Sequence, residues 1–307
     1  MLSRIDYDSL TILAAVIREG SFEAAAKSMN VTQSAVSQRI KQLEEKAGVV
    51  LVVRGRPCVP TDAGLQFCRH VEQVNLLQQE LAERMRALVG GEASVAATVR
   101  IGVNNDSLAT WFPKVIRVAS RELGIRFDIL PDDQEHTESS LRSGDALAVI
   151  TTMETPVQGC KILSLGSMDY IAVASPDFHQ AQFATGVSLD TLRNSVCLAF
   201  NRKDTIQDQW MALCFGASIP LSTHYVPSYE GYLSCCLNGA GWGLVPSIAG
   251  NAYVKRGELV DLSPGKKVSI ALHWQAGMQS SEILGRLGNL VLDVAREHLA
   301  PDRFRPD

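Results

Sequence analysis

Between Val31 and Pro60 the chain carries five basic residues, Arg39, Lys41, Lys46, Arg54 and Arg56, against two acids, Glu44 and Glu45. Among them stand Thr32, Gln33, Ser34, Ser37 and Gln38, whose amides and hydroxyls donate and accept hydrogen bonds without carrying charge. Amides and hydroxyls can match base-pair edges, while guanidinium and ammonium groups can match phosphates. The chemistry on offer is recognition of a polyanion that also carries a sequence code. The bland alternative is a solvated surface, and which element holds these residues decides between the two.

Catalytic chemistry finds less support. Cys235–Cys236 could supply a nucleophile, but His70, His136, His179, His224, His273 and His298 show no spacing that commits one as its base, so buried helix cysteines are the simpler reading. No GxGxxG opens a helix, and GxxxxGK[ST] and HExxH do not occur. Gly239-Ala240-Gly241-Trp242-Gly243 leads into Leu244-Val245-Pro246 rather than from a strand into a helix, and reads as a tight connection. Seven cysteines without CxxC spacing indicate neither a disulfide framework nor a zinc site. The expectation is a chain with no catalytic residues, no metal and no cofactor.

The elements that would position the basic and amide-bearing residues can be read from periodicity. Leu10, Leu13, Ala14 and Ile17 share one face of a helix that stops at Gly20. Ser21 caps a short helix with Phe22, Ala25, Ala26 and Met29 inward, and its small alanines permit close helix approach. After Asn30-Val31, Thr32 caps a third helix whose Val36, Ile40, Leu43 and Ala47 fall within an arc of about 60°. On the same wheel Gln33, Ser34, Ser37, Gln38 and Lys41 fill a neighbouring arc of about 140°, a polar face free to enter a major groove. Val49 to Val53 reads as a strand, and Arg54-Gly55-Arg56-Pro57 as the basic tip of a hairpin returning through Cys58-Val59-Pro60. Such a wing adds affinity at phosphates or the minor groove more than base discrimination.

The stretch SFEAAAKSMNVTQSAVSQRIKQLEEKAGVVLVVRGRPCVPTDAG resembles the signature of LysR-type transcriptional regulators. The resemblance implies double-stranded DNA as partner, with Thr32, Gln33, Ser34, Ser37, Gln38, Arg39, Lys41, Arg54, Arg56 and Thr61 at the interface. It divides the chain into a winged helix-turn-helix over 1–61, a linker helix over 62–90, a hinge over 91–97 and an effector-binding domain over 98–307. Along the linker, Phe67, Val71, Val74, Gln78, Leu81, Met85 and Leu88 follow 4-3-4-3 spacing, a heptad seam that needs a partner. The family resemblance points to a second copy of the chain, in a homodimer or homotetramer, over packing against the chain's own C-terminal domain.

The remaining length is expected to be α/β. Strand 99–103, helix 108–121, strand 127–130, helix 135–143 and strand 146–150 alternate in an order that implies a parallel sheet. A second block has strands near 170–174, 196–199 and 244–245 and helices near 205–215 and 229–238. Residues 259–262, 268–274 and the helix 281–299 are then expected to return to the first subdomain. Crossings near 165–169 and 243–247 would leave one subdomain over about 98–166 and 247–307 and another over about 167–246, the periplasmic-binding-protein type that the resemblance implies. Ligands settle outside the carboxyl ends of strands, here an interdomain cleft.

NNDSLATW, SMDY, SYEG and LSPG resemble a narrower branch, the arginine- and lysine-responsive LysR-type regulators of amino-acid export. The implied effector is a basic amino acid, lysine or arginine, held by Asn104, Asp106, Ser107, Glu135, Thr151, Asp169, Phe200 and Glu230, with the acids meeting its cations. Where such relatives carry an acid after the phenylalanine, this chain reads Phe200-Asn201, a departure that bears on effector identity.

Composition is consistent with that division. The 307 residues, 46% hydrophobic and 20% charged, suffice for two or three domains. Residues 1–90 hold 11 Lys and Arg against 10 Asp and Glu, whereas 91–307 hold 18 against 23, so the net charge of -4 belongs to the C-terminal part. The N-terminus lacks a cleavage pattern and no uncharged run reaches membrane-spanning length, so a cytoplasmic location without a membrane partner is expected. The expected function is an effector-controlled regulator of an amino-acid exporter gene, contacting RNA polymerase if it activates. Two alternatives stay open: an effector-independent DNA-binding protein of architectural or replication-inhibitor type, and a metabolic enzyme with an N-terminal adaptor.

Overall fold

A computed structural model of the chain describes residues 6–89, 97–132, 140–141, 146–277 and 281–301. Three capped helices open it. In α1 (Tyr7–Glu19) the Asp6 carboxylate accepts the Ser9 N–H at 2.9 Å, and Gly20, at φ 68°, ends the helix in the left-handed conformation. Ser21 Oγ accepts the Ala24 N–H at 3.0 Å to start α2 (Phe22–Ser28), and Thr32 Oγ1 accepts the Ala35 N–H at 3.2 Å to start α3 (Gln33–Ala47). Leu10, Leu13, Phe22, Ala25, Ala26, Val36, Ile40 and Leu43 are all buried in one core, the faces that the periodicity selected.

The wing is shorter in strand than the sequence suggests. Only β1 (Val52–Val53) and β2 (Val59–Pro60) pair, antiparallel. Upstream, Glu44 Oε1 accepts the N–H groups of Leu51 at 2.8 Å and Val52 at 3.3 Å, so a carboxylate on α3 takes the place of a ladder. The linker helix α4 (Asp62–Val89) packs its first turns on the N-terminal core through Phe67, Cys68 and Val71. Tyr7 Oη donates to Asn75 Oδ1 at 2.7 Å and fixes α1 to it. Further along, Leu77, Leu81 and Met85 are 53%, 60% and 54% exposed, and Gln78 lies exposed among them. The heptad seam thus divides: Phe67 and Val71 serve the chain's own core, while Leu81 and Met85 face solvent. The Leu88 side chain lies outside the described residues, as do most of the hinge and, in the expected helix 135–143, all but residues 140–141.

In the C-terminal part, β3 (Ala97–Asn104) pairs in parallel with β4 (Ile125–Asp132) on one side and β5 (Ala148–Thr151) on the other, as the alternating order predicts. The single helix expected over 108–121 is two, α5 (Asn105–Thr110) and α6 (Phe112–Glu122), with Pro113 near the start of the second. Proline has no N–H for the preceding turn, so it starts a helix better than it continues one. β6 (Cys160–Ala174) and β11 (Val268–Gly277) run antiparallel through ten residue pairs. Past β6 come α7 (Pro176–Phe183), α8 (Leu189–Arg193), β7 (Val196–Ala199), α9 (Ile206–Phe215), β8 (Ser222–Tyr225), α10 (Tyr229–Leu237), β9 (Gly243–Pro246), α11 (Ser247–Lys255) and β10 (Val260–Asp261). The helix α12 (Glu282–His298) packs on α6 and β6.

Strand pairing corrects one expected boundary. The second passage between the halves does not lie at 243–247: β9 pairs with β6 at 170–173, β10 pairs with β6 at 173–174, and α11 packs on β6 and β9. The strand that returns to β5 is β11. The pairing of β10 and the packing of α11 on the far half of β6 keep residues 247–261 there, which apolar pattern alone does not reveal.

Candidate functional site

Two constellations stand out, one on the surface of the N-terminal helices and one in the C-terminal part. On α3, Gln33, Ser34, Gln38, Arg39 and Lys41 are exposed and Ser37 is half-buried, while Val36, Ile40 and Leu43 turn inward. The wing arginines Arg54 and Arg56 are exposed as well. A helix-turn-helix with an amide-rich outer face and a basic hairpin beside it can place α3 in a major groove and the wing on phosphates. Lys41 Nζ sits 3.9 Å from a Glu45 carboxylate oxygen, but both side chains are largely exposed and the pair is weak.

Two threonines expected at this interface do structural work. The Thr32 hydroxyl caps α3 and lies 3.0 Å from Ser34 Oγ. The Thr61 hydroxyl donates to the Val50 carbonyl at 2.8 Å and accepts the Gly64 N–H at 3.1 Å, joining wing to linker helix. There Gly64 comes so close that an added Cβ would lie 2.1 Å from the Leu51 carbonyl oxygen.

The second constellation lines a partly open cavity of about 200 Å³ beyond the carboxyl ends of β3, β5 and β7. Ligand pockets usually run from about 300 to 1,000 Å³, so this one suits a ligand of amino-acid size. Its walls include Asn104 at the end of β3 and Asp106 beyond it, Thr151 at the end of β5 and Thr152 beyond it, Tyr170 on β6, and the turn from Phe200 to Thr205 after β7. Tyr229 and Tyr232 close it from α10, and Ile270 and Leu272 from β11.

Asp106 dominates the electrostatics. Burial raises its pKa above the ordinary 3.8, and the neighbouring Asp204 pushes the same way; the Tyr170 hydroxyl, donating to Oδ2 at 2.5 Å, opposes them. Burial, with Asp106 beside it, in turn raises the Tyr170 phenol well above its usual range, and the same two causes push Tyr229 up to about 12. Nearby, the Asn104 side-chain oxygen is buried without a hydrogen-bond partner among the described residues. A half-buried carboxylate and a buried carbonyl oxygen side by side make one wall suited to a donor-rich, positively charged group.

Asp204 has another task. Its carboxylate accepts the N–H groups of Phe200 at 2.9 Å and Ile206 at 3.2 Å and the Gln207 amide at 3.2 Å, which holds the Phe200 to Thr205 turn in shape. Asn201, the departure noted in the sequence, lines the cavity, and its Oδ1 accepts the Lys203 N–H at 2.8 Å. Lys203 lines the cavity also.

Of the expected ligand-binding residues, Asn104, Asp106, Thr151 and Phe200 come together on these walls. Three do not, and local geometry says why. Strand side chains alternate faces, so with Tyr170 turned to the cavity Asp169 points away, accepting from Ser269 Oγ at 2.7 Å beside Lys267. Ser107 is fully buried, and its hydroxyl accepts the Trp111 indole N–H at 3.1 Å. Glu230 is exposed and accepts from Ser228 Oγ at 3.3 Å, because Tyr229 and Tyr232, three apart on α10, take the inward face. Glu135 lies outside the described residues. SMDY and SYEG therefore do mark the cavity, through their tyrosines rather than their acids.

Cys197 and Cys236 are poor nucleophiles here. Cys236 is buried, which pushes its thiol up to about 12, and burial likewise raises Cys197. No helix among the described residues is long and apolar enough to cross a membrane.

Comparison with known proteins covers both parts of the chain. Residues 7–65 match the family model described as bacterial regulatory helix-turn-helix protein, lysR family, and residues 92–296 match the LysR substrate binding domain. The chain is 38% identical over 293 residues to the transcriptional regulator LysG of Mycobacterium tuberculosis, covering 95% of this chain and 94% of that one. Among solved structures it resembles ArgP of Mycobacterium tuberculosis, with TM-score 0.83 and 36% identity, covering 98% of this chain and all of that one. It also resembles full-length LysG of Corynebacterium glutamicum with arginine bound as effector, with TM-score 0.74 and 34% identity over 97% of this chain and 100% of that one.

Proposed function

Since this chain belongs to the LysR family of DNA-binding transcriptional regulators, and is not an enzyme, we propose that it is switched by a basic amino acid, lysine or arginine, bound in the cavity around Asp106. The observation that carries this reading is the Asp106 carboxylate, held by Tyr170 at the cavity wall beside the unpartnered Asn104 oxygen and joined to no ion pair among the described residues. A ligand ammonium or guanidinium compensates that charge, and the relative seen with arginine bound supports the same chemistry. Asn104, Asp106, Thr151 and Phe200 bind the effector. The cavity lies between the strand ends of the two halves, so ligand held there favours one arrangement of the halves over another.

On the DNA side, Gln33, Ser34, Ser37 and Gln38 read bases, while Arg39, Lys41, Arg54 and Arg56 bind phosphates or the minor groove. The exposed Leu77, Leu81 and Met85 on α4 seat a second copy of the chain in a homodimer, the base of a homotetramer. The protein works in the cytoplasm, and its target is an amino-acid exporter gene, with RNA polymerase as partner where it activates.

Calorimetry of the full chain against lysine, arginine, glutamate and leucine tests the effector. Binding confined to the basic pair, with a raised melting temperature and an altered promoter footprint, supports it. A protein that footprints DNA yet binds neither lysine nor arginine is instead an effector-independent DNA-binding protein.

A further inference from the structure

We propose that Phe22 is a positioning residue for the wing arginine Arg54, presetting the direction in which that guanidinium meets DNA. The proposal rests on the reading of the wing as a DNA contact.

Phe22 is the first residue of α2 and is 8% exposed. The Arg54 guanidinium carbon stands 4.9 Å from the centre of its ring, within cation–π range. Stacking uses the face of the guanidinium and leaves its in-plane N–H donors available to a phosphate or a base edge. Among the described residues, Arg54 has no carboxylate in ion-pairing distance.

The hairpin that carries Arg54 is itself anchored to the helices. Cys58 N–H donates to the Gly20 carbonyl at 2.7 Å, one residue before the cap of α2. Pro57 packs on Gly20 so tightly that a Cβ there would come within 3.2 Å of the proline Cβ. Glu44 holds the opposite side of the hairpin to α3. With the hairpin base fixed to α1, α2 and α3, the remaining freedom of Arg54 is in its side-chain torsions, and the Phe22 ring restricts those. An arginine ordered before binding gives up less conformational entropy on DNA than one free in water. Arg56, exposed two residues on, has no such ring.

The test is a double-mutant cycle in the full chain, read as affinity for a labelled duplex of random sequence, with melting temperature measured for each variant. Phe22→Leu is expected to weaken binding by about two- to fivefold, the range of an exposed cation–π contact. Phe22→Tyr is expected to restore it, and Phe22→Leu is expected to cost nothing further when Arg54 is already alanine. Phe22→Met, which fills the same core site, replaces leucine if that variant fails to fold. Equal losses with and without Arg54 would mean that Phe22 acts only through packing and overturn the proposal alone. An Arg54→Ala protein that binds DNA as well as wild type overturns the wing reading, and the proposal with it.

Discussion

The DNA-facing surface of α3 and the cavity at Asp106 solve recognition in opposite ways. On α3 the functional side chains come from one run of nine residues, Gln33 to Lys41, and most stand exposed beside a buried apolar stripe. The cavity draws on residues from Asn104 to Leu272, and its central carboxylate is half-buried. A duplex is a long rigid partner that stays hydrated, so the protein needs only a surface of matched groups. A small ligand must be surrounded, which takes strand ends from both halves of the sheet. Each contact on α3 is therefore individually modest and salt-sensitive, whereas a single charge in the cavity can decide binding.

The sharpest way to break that contrast is Asp106→Asn. Removing one partner of a buried charge pair typically costs about 3–5 kcal/mol, so lysine and arginine binding should fall by at least two orders of magnitude. Binding of unliganded protein to random duplex DNA should be unchanged. Calorimetry beside DNA titration checks both, and retained amino-acid affinity would move the charge-binding role elsewhere in the cavity. On the other side, Gln33→Ala should cost about 1–3 kcal/mol at a cognate site and much less on random DNA. Equal loss on both, measured by competition, would show that Gln33 does not read bases.

The same contrast explains how much the sequence revealed. The N-terminal helices, their caps and their inner and outer faces were legible because 3.6-residue periodicity records burial directly, as Val36, Ile40 and Leu43 show. Even there the hydroxyls of Thr32 and Thr61, expected at the DNA, also cap helices, and a threonine before a helix suits either role. The cavity was half legible. Asp106 came, like Asp169 and Glu230, from the resemblance and its charge, but choosing Asp169 and Glu230 overrode the local geometry that turns Tyr170 and Tyr229 inward. β8 escaped because Ser222 to Tyr225 is mostly exposed and shows no apolar alternation. Residues 247–261 were placed with the other half because the pairing of β10 with β6 and the packing of α11 on β6 and β9, which assign them, leave no mark in the apolar pattern.

The two sites should also part company with pH. Folded Asp106 has a raised pKa, so lowering the pH through that value, above 3.8, protonates it and removes the charge that a ligand cation meets. Amino-acid affinity should then fall with pH by at most about tenfold per unit, since one proton is displaced. The same raised pKa makes the unliganded fold relatively more stable on the acid side, as the native state holds this proton more tightly than the unfolded chain. Affinity of the Asp106→Asn protein should lose this slope, so a wild-type slope that survives the substitution would assign the titration to another group.

The smallest effect belongs to Arg56→Ala. Arg56 is exposed at the wing tip, without the ring that holds Arg54. A solvent-exposed ion pair contributes only about 0.2–1 kcal/mol, so affinity should drop less than about fivefold and by the same factor on any duplex. Losing one phosphate contact should lower the slope of log affinity against log salt by about 0.9. Phe22→Leu, by contrast, leaves the Arg54 charge in place and should weaken binding without that change of slope. A salt titration of the two variants side by side separates a lost charge from a charge that has lost its direction, and if both slopes fall together, charge count alone governs the wing and its geometry adds nothing.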